Sequence, residues 1–335
     1  MTWFVWRQFR TQAAISAALL AALAVLLVIT GLRMAAQFHA AVGPCLAAND
    51  CRWPADNLSL GSGLIGFLVE FTLAVPAVLG MFIGAPLVAR EIETGTAQFA
   101  WTQAVTRRRW LAVRVGWLLL AALAWGGAVA ALVTWWSGPK NAAYLNAFNP
   151  GEFDVQGIMP AAYSLFAMAF GIAAGTLIRR VLPALGVTLG GYFGVRLIIM
   201  GWIRQHYMTP VTTTFGLDGL DQKFYLPKGA FWQLAQGFRG PNGPLALPNG
   251  DNVSIVGNGF PLSDVPAACL THGGGGLTPG PQTLSCLSQH GFTQYLTYQP
   301  AGRYWPFQFI EAGIFVALAA ALIAVAFAII NRRDA

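Results

Sequence analysis

The chain has 335 residues, of which 56% are hydrophobic and only 10% charged, with a formal net charge of +7 and a mean hydropathy of +0.56. A soluble globular domain carries about 25% charged residues, so this composition excludes one and marks an integral membrane protein. The basic residues sit at the ends of apolar runs and form no single stripe, which points to anionic inner-leaflet lipid and away from nucleic acid.

A hydrocarbon core of about 30 Å takes roughly 20 mostly apolar residues to cross. Six runs in the sequence meet that length. Ahead of the first, residues 1–12 carry Trp3, Phe4, Trp6 and Phe9 beside Arg7 and Arg10. That composition suits an interfacial helix in the cytoplasmic headgroup layer; the alternative is that these residues continue the first span, with tryptophan as an anchor. The first span, Ala13 to Leu32, is too long for a cleaved signal peptide and reads as an anchor. The second, Leu60 to Ala89, is long enough to tilt or kink and has Pro76 inside it.

A polar island, Ala89 to Arg114, follows the second span. Its charges are ordered: Glu91 and Glu93, then Gly95-Thr96, an aromatic patch at Phe99 and Trp101, then Arg107 to Arg109. Gly95 breaks the helix leaving the membrane, Thr106 N-caps the next one, and the turn between exposes Phe99 and Trp101 to a partner's cleft. The alternative is an ordinary solvated loop between helices. The third span is Val115 to Trp136, the fourth Val155 to Ile178 and the fifth Val181 to Ile203, the last two joined by Arg179-Arg180 as a tight antiparallel hairpin. Gly171 and Gly175, at a GxxxG spacing, and Gly186, Gly190, Gly191 and Gly194 on the fifth span mark helix packing faces. Residues 204–304 are rich in Gly and Pro, including Gly273 to Gly276, and read as an irregular loop with little regular structure. The sixth span is Trp305 to Ile330.

Lys and Arg in short loops are retained in the cytoplasm. Arg7, Arg10, Arg90, Arg107, Arg108, Arg109, Arg114, Arg179, Arg180, Arg332 and Arg333 fall on one side, against Arg33, Arg52 and Lys140 on the other. Both termini and the island, residues 90–109, therefore face the cytoplasm, and residues 204–304 lie outside. Cys45, Cys51, Cys269 and Cys286 all fall in segments assigned outside, where disulfides persist. Pairing within each loop, Cys45 to Cys51 and Cys269 to Cys286, is the simplest of three connectivities. The expected fold is an all-α polytopic membrane protein with six transmembrane helices, both termini cytoplasmic, and a long irregular extracellular loop between the fifth and sixth.

Ionisable residues inside spans are functional candidates because burying them is costly. At about 1.5 Å per residue, Glu70 lies roughly 15 Å below the outer start of its span and Arg196 about 22 Å above the inner start of its own, depths that suit an ion pair. Such a pair is structural or serves substrate passage and gating. Glu311, one turn inside the sixth span, sits at the outer interface or joins them. No catalytic cluster accompanies them. None of Lys140, Lys223 or Lys228 is followed by Ser or Thr, so the GxxxxGK[ST] phosphate loop is absent. The four histidines form no HExxH, and neither Ser62 nor Ser164 sits in GxSxG. The sequence therefore reads as no enzyme, with no metal site.

The stretch Gly84 to Thr96, followed by Trp101-Thr102-Gln103 and Thr106 to Trp110, resembles the permease subunits of type-2 ABC exporters, especially an actinobacterial-like branch. Tyr298-Gln299-Pro300 and Arg303 to Glu311 resemble the entry to that branch's last span. The resemblance implies a membrane subunit that forms the translocation path and couples to a separate cytoplasmic ABC ATPase subunit through Glu91, Glu93, Gly95, Thr96, Phe99 and Trp101. It implies a second permease copy, no cofactor in this chain, and ATP and Mg on the partner subunit. The long outer loop departs from many relatives. The reading from a different class is a non-transporting membrane sensor or assembly protein whose outer loop binds a ligand. Spans with few charges suit an amphiphilic drug, lipid or peptide better than an inorganic ion.

Overall fold

The computed structural model describes residues 2–41, 63–93, 107–144, 147–216, 231–241, 243–244, 266, 269 and 281–332. These fall into two compact units, Met1–Arg204 with Trp305–Ala335, and Gln205–Tyr304.

The first unit is helical. Helix α1 runs unbroken over Thr2–Ala41, so no break separates residues 2–12 from the apolar stretch Ala13–Ala40. The second span is broken: α2, Leu64–Phe71, is followed by α3, Val75–Leu79, a π-helical turn at Gly80–Gly84, and α4, Pro86–Glu93. The axis bends by 44° between Phe71 and Val75. The expected kink at Pro76 falls just ahead of it, because Pro76, lacking an N–H, is favoured in the first turn of the new helix. Helix α5 covers Arg107–Tyr144, α6 is a short turn at Pro150–Val155, and α7 covers Met159–Ile178. Helix α8, Val181–Ile198, continues through a second π turn at Ile199–Ile203 into a 3-10 turn at Arg204–His206.

Among the described residues, five helices are long and apolar enough to cross a membrane: Ala13–Ala40, Leu111–Ala142, Met159–Ile178, Val181–His206 and Ala301–Ile330. The bent pair Ile65–Phe71 and Val75–Glu91 makes a sixth if taken as one span.

Helix α7 is the most buried of these and forms the axis of the bundle. Its small residues permit backbone-to-backbone contact: a Cβ placed on Gly171 would lie 2.1 Å from Gly80 O, and one on Gly175 would lie 2.1 Å from Ala85 O. The GxxxG pair thus packs against the π turn of the broken span, as small residues at membrane helix interfaces do. One apolar core joins Leu87 and Val88 to Leu111, Val115, Met168 and Ile172; another joins Leu27, Val69, Val129, Val133 and Trp136.

The second unit corrects the expectation of an irregular loop. It holds a four-stranded antiparallel sheet of order β1-β4-β2-β3, formed by β1 Val211–Gly216, β2 Trp232–Gly240, β3 Gly243–Pro244 and β4 Thr293–Gln299. Helix α9, Pro281–Gln289, precedes β4. In β4, Gln294 and Leu296 are buried on one face and Gln299 on the other. A Cys269–Cys286 disulfide ties α9 to Cys269; Cys45 and Cys51 lie outside the described residues. The last helix, α10, is Tyr304–Arg332.

Candidate functional site

Two constellations lie at opposite ends of α7 and α8. The first is where the broken span meets the island. Glu91, in the last turn of α4, forms an ion pair with Arg114 of α5, whose side chain is 6% exposed. Glu93 reaches the neighbouring hairpin: its Oε2 accepts a hydrogen bond from Val181 N, the first residue of α8, at 3.0 Å. A helix start carries unsatisfied N–H groups and a partial positive charge, so a carboxylate there both fills a donor's need and opposes the dipole. The hairpin itself turns at Arg179, which ends α7 in the left-handed region at φ 61° and donates its N–H to Gly175 O at 3.0 Å. Among the described residues it is the one non-glycine with positive φ, a conformation that costs an L-residue roughly 1–2 kcal/mol. Two carboxylates read as partner contacts in the sequence therefore hold α4, α5 and α8 together. Gly95, Thr96, Thr106, Phe99 and Trp101 lie outside the described residues.

The second constellation is a buried charge network at the far end. Arg204, at the end of α8, donates from Nε to Glu311 Oε2 at 2.7 Å and from Nη2 to Glu311 Oε1 at 2.7 Å, a bidentate pair with α10. Its Nη2 also donates to Asp154 Oδ1 on α6, and Arg196 of α8 donates to Asp154 Oδ2. The Tyr163 hydroxyl, in the second turn of α7, lies 3.0 Å from Asp154 Oδ1 and 2.9 Å from Glu311 Oε1, with one proton to donate. The side chains of Asp154, Arg204 and Glu311 are each 1% exposed. Two guanidiniums thus meet two carboxylates with no net formal charge, the condition under which such groups tolerate burial. Aromatic faces complete the shell: the Arg196 guanidinium lies 4.6 Å from the Tyr163 ring centre and that of Arg204 lies 4.6 Å from the Phe153 ring centre. Gln308 clamps the α6–α7 connection, accepting from Ile158 N at 3.0 Å and donating to Phe153 O at 3.1 Å.

The pairing expected between Glu70 and Arg196 is not the one formed. Glu70 is exposed on the last turn of α2, while the carboxylate of Arg196 is Asp154. Depth along a span was readable from sequence, but the direction a residue faces on its helix depends on the bend at residues 72–74, which the sequence reading lacked. Asp154 escaped notice because it sits one residue before the fourth apolar run. Glu311 belongs to the network and not to an exposed interface.

A polar path leads from this network toward the broken span. Tyr192, one turn before Arg196, donates its hydroxyl to Leu73 O at 3.0 Å, a carbonyl within the break. Backbone freed inside a membrane has to be satisfied by protein, and Tyr192 does so here.

The model of the ABC-2 membrane transporter related family matches residues 17–204. That is more than half of the 335 residues. The chain belongs to this family. No curated protein and no solved structure matches it. The matched segment of this ABC-2 related permease runs through both constellations, from the first span past Glu91, Glu93, Asp154, Tyr163 and Arg196 to Arg204, and leaves the sheet unit and Glu311 outside. ABC-2 permeases in general are not themselves enzymes and work with ATPase partners. Cys269, Cys286 and His290 cluster within 4.8 Å of one another, but the two sulfurs are bonded to each other and offer no thiolate to a metal.

Proposed function

We propose that this chain is the membrane subunit of an ATP-driven exporter in the plasma membrane, of the actinobacterial-like branch, that couples to a separate cytoplasmic ABC ATPase subunit carrying ATP and Mg. It crosses the bilayer six times, the broken pair counting as one span, with both termini and residues 90–109 inside and residues 204–304 outside. The observation that carries this reading is the tie made by Glu91 and Glu93. Force applied to the island just beyond Glu93 passes through these polar ties to α4, α5 and the start of α8. Gly95, Thr96, Phe99 and Trp101 then supply the docking surface, with two permease copies lining the path.

The test is recovery of the protein from its native membrane in mild detergent, followed by mass spectrometry. Glu91 and Glu93 hold helices together, so their substitution would confuse docking with folding; the informative variant is Phe99→Ala/Trp101→Ala. An ATPase subunit that accompanies the wild type and is lost with the variant supports the coupling site. Absence of any ATPase from both samples overturns the exporter reading. It would favour a sensor or assembly protein whose outer loop binds a ligand, a reading supported by the separate folding unit at Gln205–Tyr304.

A further inference from the structure

The charge network depends on an irregularity in α8. Arg196 and Arg204 are eight residues apart in the sequence. In a regular α-helix eight residues advance about 800°, which would leave Arg204 about 80° round the helix from Arg196. The π turn at Ile199–Ile203, closed by a hydrogen bond from Arg204 N to Ile199 O, absorbs one residue. The advance falls to about 700°, and both arginines come to within about 20° of one face. In this register both guanidiniums reach Asp154, one on each oxygen.

We propose that this π turn is a two-state latch: as π it holds Arg204 on Asp154 and Glu311 and closes the end of the bundle opposite the island, and as α it rotates Arg204 by about 100° and releases that end. Its role in transport rests on the permease reading above; its existence does not. Three observations favour a switch over a fixed insertion. The turn lies at the end of its helix, directly before the 3-10 turn Arg204–His206, so a displaced residue passes out at the helix end without lengthening the span. The network ties this end together, since Arg204 joins α8 to both α6 and α10. And release would leave Asp154 and Glu311 facing Arg196 alone, an excess of buried negative charge that is stable only if water enters. Loss of the latch and hydration of this end are therefore one event.

The register makes an unusual variant informative. Deleting Gly201, which is exposed and has nothing within 4 Å of a built Cβ, removes the extra residue. Regular α-helix then places Arg204 where the π turn places it now, with no second register to visit. Hydrogen exchange of the full-length protein in lipid nanodiscs, without any ATPase, reads the result. The deletion is expected to slow exchange of the amides at 199–206 by at least tenfold, and Glu311→Gln to speed it by at least tenfold. Amides at 166–174, in the middle of α7, should stay as in the wild type in both. Unchanged or faster exchange at 199–206 in the deletion, or an unchanged rate in Glu311→Gln, would overturn the latch. Failure of the ATPase recovery experiment would remove its transport role and leave these rates untouched.

Discussion

At the scale of single residues, the buried network is governed by charge balance. Asp154 is the residue both arginines share, so Asp154→Asn leaves two guanidiniums against Glu311 alone. Removing one partner of a buried ion pair costs about 3–5 kcal/mol, because the other charge stays buried without compensation. Thermal unfolding in detergent should show that loss, and a wild-type midpoint would mean that water already screens the site. Tyr163→Phe removes one proton donor and no charge, and should cost about 1–3 kcal/mol in the same measurement. This balance was only partly legible in the sequence. Arg196 stood out as a charge within an apolar run, whereas Asp154 and Arg204 flank such runs and look like ordinary loop residues. Their burial follows from α6 folding back onto α7, a tertiary event with no periodic signal in a six-residue helix.

At the scale of elements, the contact between α7 and the broken span sets how close two backbones come. Gly175→Ala would put its Cβ 2.1 Å from Ala85 O, a backbone atom that cannot swing aside. Overpacking of this kind typically costs about 1–3 kcal/mol, and a lowered unfolding midpoint checks it. Here the sequence was informative, since the GxxxG spacing of Gly171 and Gly175 is a direct statement about backbone approach. The sheet left a trace in the β-branched run Val211-Thr212-Thr213-Thr214, but Thr293–Gln299 has no apolar/polar alternation, and the Gly and Pro between the strands dominated the composition. The Cys269–Cys286 bridge has a sequence separation of 17. Loops of that size correspond to about 3 kcal/mol of chain entropy. Cys269→Ser/Cys286→Ser should therefore make residues 281–299 exchange faster with solvent deuterium and leave α7 unchanged.

At the scale of the whole molecule, α8 presents two unlike faces. Ala184, Thr188, Tyr192, Arg196 and Ile199 are buried against the bundle. On the other side Gly186, Gly190 and Gly194 have open space where a Cβ would stand, and Leu182 and Leu197 are 80% and 61% exposed. Lipid needs no glycine, because acyl chains pack against side chains of any shape, whereas a second helix gains close contact only where the surface is flat. Under the permease reading proposed above, three glycines four residues apart fit the contact with the second copy better than a lipid face. The two cases separate experimentally. A Cβ at Gly190 has no atom within 4 Å among the described residues, so the fold and unfolding midpoint of the single chain should be unchanged in Gly190→Leu. The mass of the detergent-solubilised protein should fall from that of a dimer to that of a monomer. A dimer that survives Gly190→Leu would place the second copy on another face, and a wild type already monomeric would leave the glycine stripe to lipid.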